Sequence, residues 1–305
     1  MRIFLYIPHE VRNGNTERRL ATLYSLTLCD DSKKGVRTEL RRWELHLSHL
    51  EQREISSIKK LDLVRLRCHL EKKNLSPQTI YHCLSLLRRV LYTAKEYELS
   101  DTKLPSFPMP KVKNQRYRFL SIDEANMLIT CLSNRKFFSS MLWRDLTVMS
   151  LNTGLRPNEL FNLRRCHISL KNKIIYVAES KNGDSRYIKM KPIVASICQK
   201  HLPASREALL FHKKNGESFT QAGFPFRRAV KLCRFNEDIT DTLYKVVFYT
   251  LRHTFASWLV MQGVPLYSVG KMLGHKTTIM TQRYAHLSPD YMNSIDKLPD
   301  FDIKI

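Results

Sequence analysis

The 305-residue chain contains no Cys-x-x-Cys pair: its seven cysteines (Cys29, Cys68, Cys83, Cys131, Cys166, Cys198, Cys233) are odd in number and scattered. That spacing argues against a disulfide framework and against a zinc site, and it fits reduced thiols in a cytosol. Cys166 beside His167 is the one tempting pair, and sequence neighbours rarely make a ligand site alone. No apolar run approaches the ~20 residues a membrane span needs. The opening stretch MRIFLYIPHEVRNGNTERR is too charged, and its apolar part too short, for a signal peptide, so the expected location is the cytoplasm. Internal repeats and low-complexity segments are missing as well, which excludes solenoid architectures.

Acidic charge is the scarcest quantity. Asp and Glu total 28 against 51 Lys and Arg, a net charge of +23, with +11 in residues 1–118 and +12 in the remainder. An excess confined to one end would suggest an electrostatic arm. Spread over both halves, it suggests two surfaces facing one long polyanion, most simply double-stranded DNA, the bland alternative being charge for solubility.

The length allows two domains. Residues 1–33 lack a sustained period and form a poorly specified lead segment. From Val36 the pattern is helical: Leu40, Trp43, Leu47 and Leu50 make one stripe, and Leu61, Val64, Leu66 and Leu70 are expected to continue a similar one. Ser76-Pro77 reads as a helix start, with a helix running through Ile80, Cys83, Leu84, Leu87, Val90, Leu91 and Ala94 toward Leu99. Its other face carries Arg88, Arg89 and Lys95, which are either solvated or phosphate contacts. Residues 34–104 thus read as a helical domain. Pro105, Pro108 and Pro110, followed by Lys111, Lys113, Arg116 and Arg118, read as a basic, proline-rich linker (105–118) lying against DNA.

Ser121 and Glu124 form a capping box that opens a second domain, 119–305. A helix from about Phe137 ends at NTGLRPNEL, where Gly154 is the expected left-handed cap and Pro157 begins the next helix, so Arg156 sits in the turn between them. Ile174–Val177 and Arg186–Met190, joined by a turn containing Asn182-Gly183, predict a β-hairpin with Lys181 at its tip or shoulder. Helices are expected around Pro192–His201 and Gln221–Cys233, and a short one from Pro289 to about Ile295. The fold class is therefore mainly α with a small antiparallel β-sheet. Between Tyr249 and Leu287, Arg252, His275 and Tyr284 fall on successive helical pieces separated by short turns. Such a trio suits a phosphate: a guanidinium fork to neutralise it, an imidazole to donate to it and a phenol oxygen to attack it.

The stretch LRHTFASWLVMQGVPLYSVGKMLGHKTTIMTQRYAHL resembles the C-terminal signature of the tyrosine recombinase family, the lambda-type phage integrases. TGLRPNEL resembles that family's first arginine box and SKNGDSRYI its lysine-bearing hairpin, in the family's order. With the helical first half the resemblance covers roughly residue 34 to the end. It implies a two-domain DNA clamp: a core-binding domain and a catalytic domain that act as a homotetramer on two DNA sites, with no cofactor and no metal. It also implies the roles. Tyr284 attacks the scissile phosphorus to leave a 3′-phosphotyrosyl bond, Arg156 and Arg252 clamp the transition state, and Lys181 protonates the leaving 5′-oxygen. His275 donates to a non-bridging oxygen. Glu159 is expected to orient an arginine or histidine, its plain alternative being favourable charge in a first helical turn.

Two features depart from the family. Where the second arginine box is commonly H-x-x-R, this chain has Tyr249. A phenol is a poor base at neutral pH, so Tyr249 is expected to donate to phosphate only, while His253 and His286 are expected to be structural neighbours. The lead segment is also short for a separate arm-binding domain, which leaves two expectations. Either the recombinase has two domains, or it lacks the part on which accessory bending and directionality proteins act. The competing readings are a DNA-binding protein of this fold without chemistry, and a type IB topoisomerase-like strand cleaver.

Overall fold

Helices make up most of the regular structure, and their starts follow local chemistry. The computed structural model describes residues 35–96, 103–112, 116–134, 139–178 and 185–292. Helix α1 (Val36–His46) is followed by α2 (Lys60–Lys72) and α3 (Pro77–Glu96). The Asp62 carboxylate accepts from the Lys59 N–H at 2.9 Å to start α2. The Ser76 hydroxyl accepts from the Thr79 N–H at 3.2 Å to start α3, where Pro77 occupies a position whose N–H has no helical partner to lose. Trp43, Leu47, Leu63, Leu66, Leu70, Leu84, Leu87 and Val90 close a core between these helices.

The stripe on α2 differs from the expected one. Leu63, Leu66 and Leu70 are buried, whereas Leu61 and Val64 are exposed. Both sets have helical spacing; the packing of α3 against α2 decides which face turns inward, and periodicity does not encode that choice. The proline-rich stretch, expected to be a linker lying against DNA, is anchored to the first unit. Leu104, Phe107 and Met109 pack on this core, and Arg67 donates to the Pro108 carbonyl at 3.3 Å, so apolar side chains between the prolines make it a strap. The chain divides into two compact units between Asn114 and Gln115, a little before the expected boundary near Arg118.

The second unit opens with α4 (Ile122–Ser133), whose capping box is complete: Glu124 N–H donates to the Ser121 hydroxyl at 3.1 Å and Ser121 N–H to the Glu124 carboxylate at 2.9 Å. Helix α5 (Ser140–Thr153) follows; Phe137, expected near its start, lies outside the described residues. After α6 (Pro157–Phe161) comes a three-stranded antiparallel sheet in the order β1 (Ile168–Ser169), β2 (Ile174–Val177), β3 (Arg186–Lys189), with Ile175 opposite Ile188 and Tyr176 opposite Tyr187. The two-residue β1 is too short to alternate, so sequence pattern did not announce it. The hairpin tip, including Lys181, lies outside the described residues. Helices α7 (Pro192–Lys200), α8 (Phe224–Leu232), α9 (Phe248–Met261), α10 (Leu266–Leu273), α11 (Ile279–Gln282) and α12 (Pro289–Met292) complete the unit.

Its core is centred on Trp143, with the rings of Phe161, Phe219 and Phe248 at 6.0, 5.1 and 5.7 Å. Truncating an aromatic side chain at such a place costs about 3–5 kcal/mol. Helix α9 runs from this core between α5 and α10. It is tied to the entering segment by Thr254, which accepts from Leu120 N–H at 3.0 Å, and Trp258, which donates to the Leu120 carbonyl at 3.0 Å. Among the described residues no helix is long and apolar enough to cross a membrane.

Candidate active site

Two left-handed turns build the site. Gly154 (φ +61) ends α5 and Gly274 (φ +65) ends α10, positions where a Cβ would be strained. A Cβ would also lie 2.4 Å from the Phe255 ring at Gly154 and 2.8 Å from Arg186 Nη1 at Gly274. These turns leave helix-end carbonyls without intrahelical partners, and arginines fill them. Arg252, on α9 and only 2% exposed, donates through Nη1 to the Gly154 carbonyl and through Nη2 to the Leu273 carbonyl, both at 2.7 Å. Arg156 donates to the Gly274 carbonyl at 2.8 Å and to the Glu159 carboxylate at 2.7 Å. Both guanidiniums thus stand at the C-terminal end of α10, and Arg252 at that of α5 as well, where the macrodipole favours cations.

Glu159 joins these to a third arginine. It accepts from the Arg156 backbone N–H at 2.8 Å and from Arg186 on β3 at 2.7 and 3.2 Å. Burial works to raise the Glu159 pKa, and the hydrogen bonds and charge of Arg186, helped by Arg156, overcome it and hold the carboxyl at about 2. Glu159 therefore braces Arg156, and the bland reading of simple first-turn charge is insufficient. Arg186, which also donates to the Met272 carbonyl at 3.0 Å, was missed in the sequence because its partners are distant along the chain. Burial, then repulsion from Arg156, lowers Arg252 to about 10, so it keeps its charge at neutral pH.

His275 follows Gly274, and its Nδ1 lies 2.7 Å from the Thr281 hydroxyl. That bond leaves Nε2 as the ring atom for a substrate oxygen. Burial, then the charges of Arg252 and Arg156, bring its pKa down to about 4, so the ring is neutral at physiological pH. Tyr284 follows α11 and is 6% exposed. Burial pushes its hydroxyl up to about 12, although Arg283 and Arg252 pull the other way. The hydroxyl oxygen lies 2.6 Å from Nδ1 of His253. His253, expected to be a structural neighbour, thus hydrogen-bonds the Tyr284 hydroxyl directly. Tyr249 is 37% exposed and its ring meets that of His253 edge-on at 5.0 Å, the i, i+4 spacing on α9 that could have flagged the contact. His286 is exposed.

The residues expected at phosphates have varied surroundings. Arg88 is exposed and lies over the Tyr92 ring at 5.3 Å, and Lys95 and Lys111 are exposed. Arg89 is paired with Glu39. Arg116 donates to the Thr242 and Lys245 carbonyls at 2.9 and 3.3 Å, and Arg118 is forked onto Glu124, so both arginines are engaged within the protein. Lys113, like Lys181, lies outside the described residues. Among the described residues no group of three His, Cys, Asp or Glu is arranged to hold a metal ion.

Comparison with known proteins gives a consistent picture. The sequence pattern described as the phage integrase family matches residues 118–290. The integrase of Salmonella phage P22 is 27% identical over 223 residues, covering 68% of this chain and 54% of its own length, so the chain spans about half of that relative. Tyrosine recombinase XerA of Saccharolobus solfataricus is 28% identical over 261 residues, covering 85% of this chain and 77% of its own. Among solved structures, the Tn1549 transposon integrase in complex with transposon right end DNA superposes with a TM-score of 0.74 at 22% identity, covering 91% of this chain and 98% of that one. XerH site-specific recombinase bound to a palindromic difH substrate gives 0.63 at 17%, covering 87% and 79%. At these identities the structural likeness is one of fold.

Proposed function

This chain belongs to the phage integrase family, and on that premise we propose that it is a site-specific DNA recombinase that cuts and rejoins strands through a phosphotyrosyl link. One observation carries the reading to this molecule: Arg252 is buried, held by two carbonyls and, among the described residues, hydrogen-bonded to no carboxylate. A dry cation held in that way is completed by an incoming anion. Arg156 stands beside it, and both address the non-bridging oxygens of a phosphodiester, where charge grows in the five-coordinate transition state. Neutral His275 donates to one of those oxygens through Nε2. Tyr284 supplies the oxygen that bonds to phosphorus; the 5′-oxygen leaves and takes a proton from Lys181. The free 5′-hydroxyl of a partner strand reverses the step. Bond energy is conserved, so neither a cofactor nor a metal enters the scheme.

The basic surfaces of both halves serve double-stranded DNA. Exchange between two sites calls for a homotetramer, and accessory bending or directionality proteins are further partners of an integrating or excising mobile element. The place of action is the cytoplasm, at the nucleoid. Covalent trapping tests the reading: nicked duplexes drawn from DNA flanking the gene, followed by denaturing electrophoresis. The expected result is a shifted protein band that disappears in Tyr284→Phe. Tight, salt-sensitive binding with no adduct would favour a DNA-binding protein without chemistry, and relaxation of supercoiled plasmid without sequence preference would favour topoisomerase-like cleavage.

A further inference from the structure

The family arrangement puts a histidine where this chain has Tyr249, so the proton of the attacking tyrosine lacks an obvious acceptor. The structure supplies one from the next turn of the same helix. His253 is 4% exposed, and its Nδ1 lies 2.6 Å from the Tyr284 hydroxyl. The Tyr249 ring meets the imidazole in a T-shaped contact at 5.0 Å, and the His253 and Tyr284 ring centroids are 6.0 Å apart. We infer that His253 is a catalytic residue of this chain, taking the Tyr284 proton on Nδ1 as that oxygen attacks phosphorus and returning it when the strand is rejoined. The inference rests on the recombinase reading above.

The step balances. The Tyr284 oxygen gains a bond to phosphorus and gives its proton to Nδ1; the phosphorus–5′-oxygen bond breaks and that oxygen gains a proton from the general acid. For Nδ1 to accept, the neutral ring carries its own proton on Nε2. Burial, then the charges of Arg283, Arg252 and Arg116 and the nearby His275, bring the His253 pKa down to about 3, so the ring is neutral across the working range. With the Tyr284 hydroxyl at about 12, transfer ahead of attack is strongly uphill. The proton therefore moves while the new ester bond forms, which is where a positioned base acts. A phosphate entering among the same arginines offsets the charges that weaken His253, so substrate binding itself strengthens the base. Tyr249, lacking a basic nitrogen, serves as the wall that holds the imidazole in place.

The test uses the full chain and the nicked flanking duplexes, and measures the single-turnover rate of adduct formation against pH. His253→Asn keeps an acceptor near the position of Nδ1 but takes up no proton. The expected outcome is a rate lower by about 10²–10⁴-fold, with a melting midpoint close to that of the wild type. Replacing Tyr284 by a fluorinated, more acidic tyrosine should then restore about tenfold or more in His253→Asn and little in the wild-type background, a rescue that a purely structural histidine would not produce. Wild-type adduct formation matched by His253→Asn at every pH would overturn the inference and leave the recombinase reading standing. No adduct from the wild type on any flanking duplex would overturn both.

Discussion

The second unit holds two clusters that pair one buried carboxylate with several cations, and they behave as opposites. At Asp145, whose side chain is fully buried, Arg144, Lys200 and a His201 ring nitrogen each lie 2.7 Å from the carboxylate, and the lysine and arginine side chains are 50% and 29% exposed at their outer ends. Each cation there is bonded to the anion, and the surplus charge faces water. At the site, Glu159 engages Arg156 and Arg186, both clusters therefore having more cations than anions. Arg252 is left over, buried and, among the described residues, bonded only to carbonyls. On the proposed reading, what takes a ligand is the desolvated cation without its own carboxylate and not the ratio of charges.

Arg252→Lys should widen this contrast most. The planar fork spanning two carbonyls is lost, and adduct formation on the nicked duplex is expected to fall by about 10²–10³-fold with a small change in melting midpoint. Asp145→Asn should act the other way: about 2–3 kcal/mol of stability lost in urea titration, below the usual cost of breaking a buried pair because Arg144 and Lys200 can turn to water, with the adduct rate of folded protein unchanged.

Acid should separate the two carboxylates next. Both have pKa values depressed in the folded state, Asp145 by the His201, Lys200 and Arg144 hydrogen bonds outweighing burial, and Glu159 to about 2. A depressed carboxyl stabilises above its unfolded value and loses that contribution as pH falls through the folded one. Urea stability of the wild type should therefore decline below about pH 4.5, and Glu159→Gln should flatten the upper part of that decline while slowing adduct formation about tenfold through loosened Arg156. A Glu159→Gln profile superimposing on the wild type would remove Glu159 from the ionic account. Smallest of all, Tyr249→Phe should cost about fivefold in adduct rate, the value of one hydrogen bond to phosphate. A severe loss would give Tyr249 a larger part than donor and wall.

The same contrast explains what could be read in advance. Starts and stops were legible because they are written within a few residues: Ser121 with Glu124, Ser76 with Pro77, Gly154 before Pro157. Arg156, Arg252, His275 and Tyr284 stood out through spacing and family resemblance. The bond from Tyr284 to His253, the hold of Arg186 on Glu159, and the use of Arg116 inside the protein depend on partners far along the chain. Likewise, nothing local to α2 says that Leu63 goes inward and Leu61 outward. Periodicity reports that a face exists; packing selects it.

The fork of Arg252 reaches acceptors 98 residues upstream and 21 residues downstream in the chain. One side chain therefore closes two loops of very different length, and neither turn can open without exposing a buried cation's other partner. In hydrogen exchange the helix ends at Gly154 and Leu273 should lose protection together, as one cooperative unit, despite belonging to separate helices. The charge proposed to receive the phosphate is thus also a clasp between two helix ends.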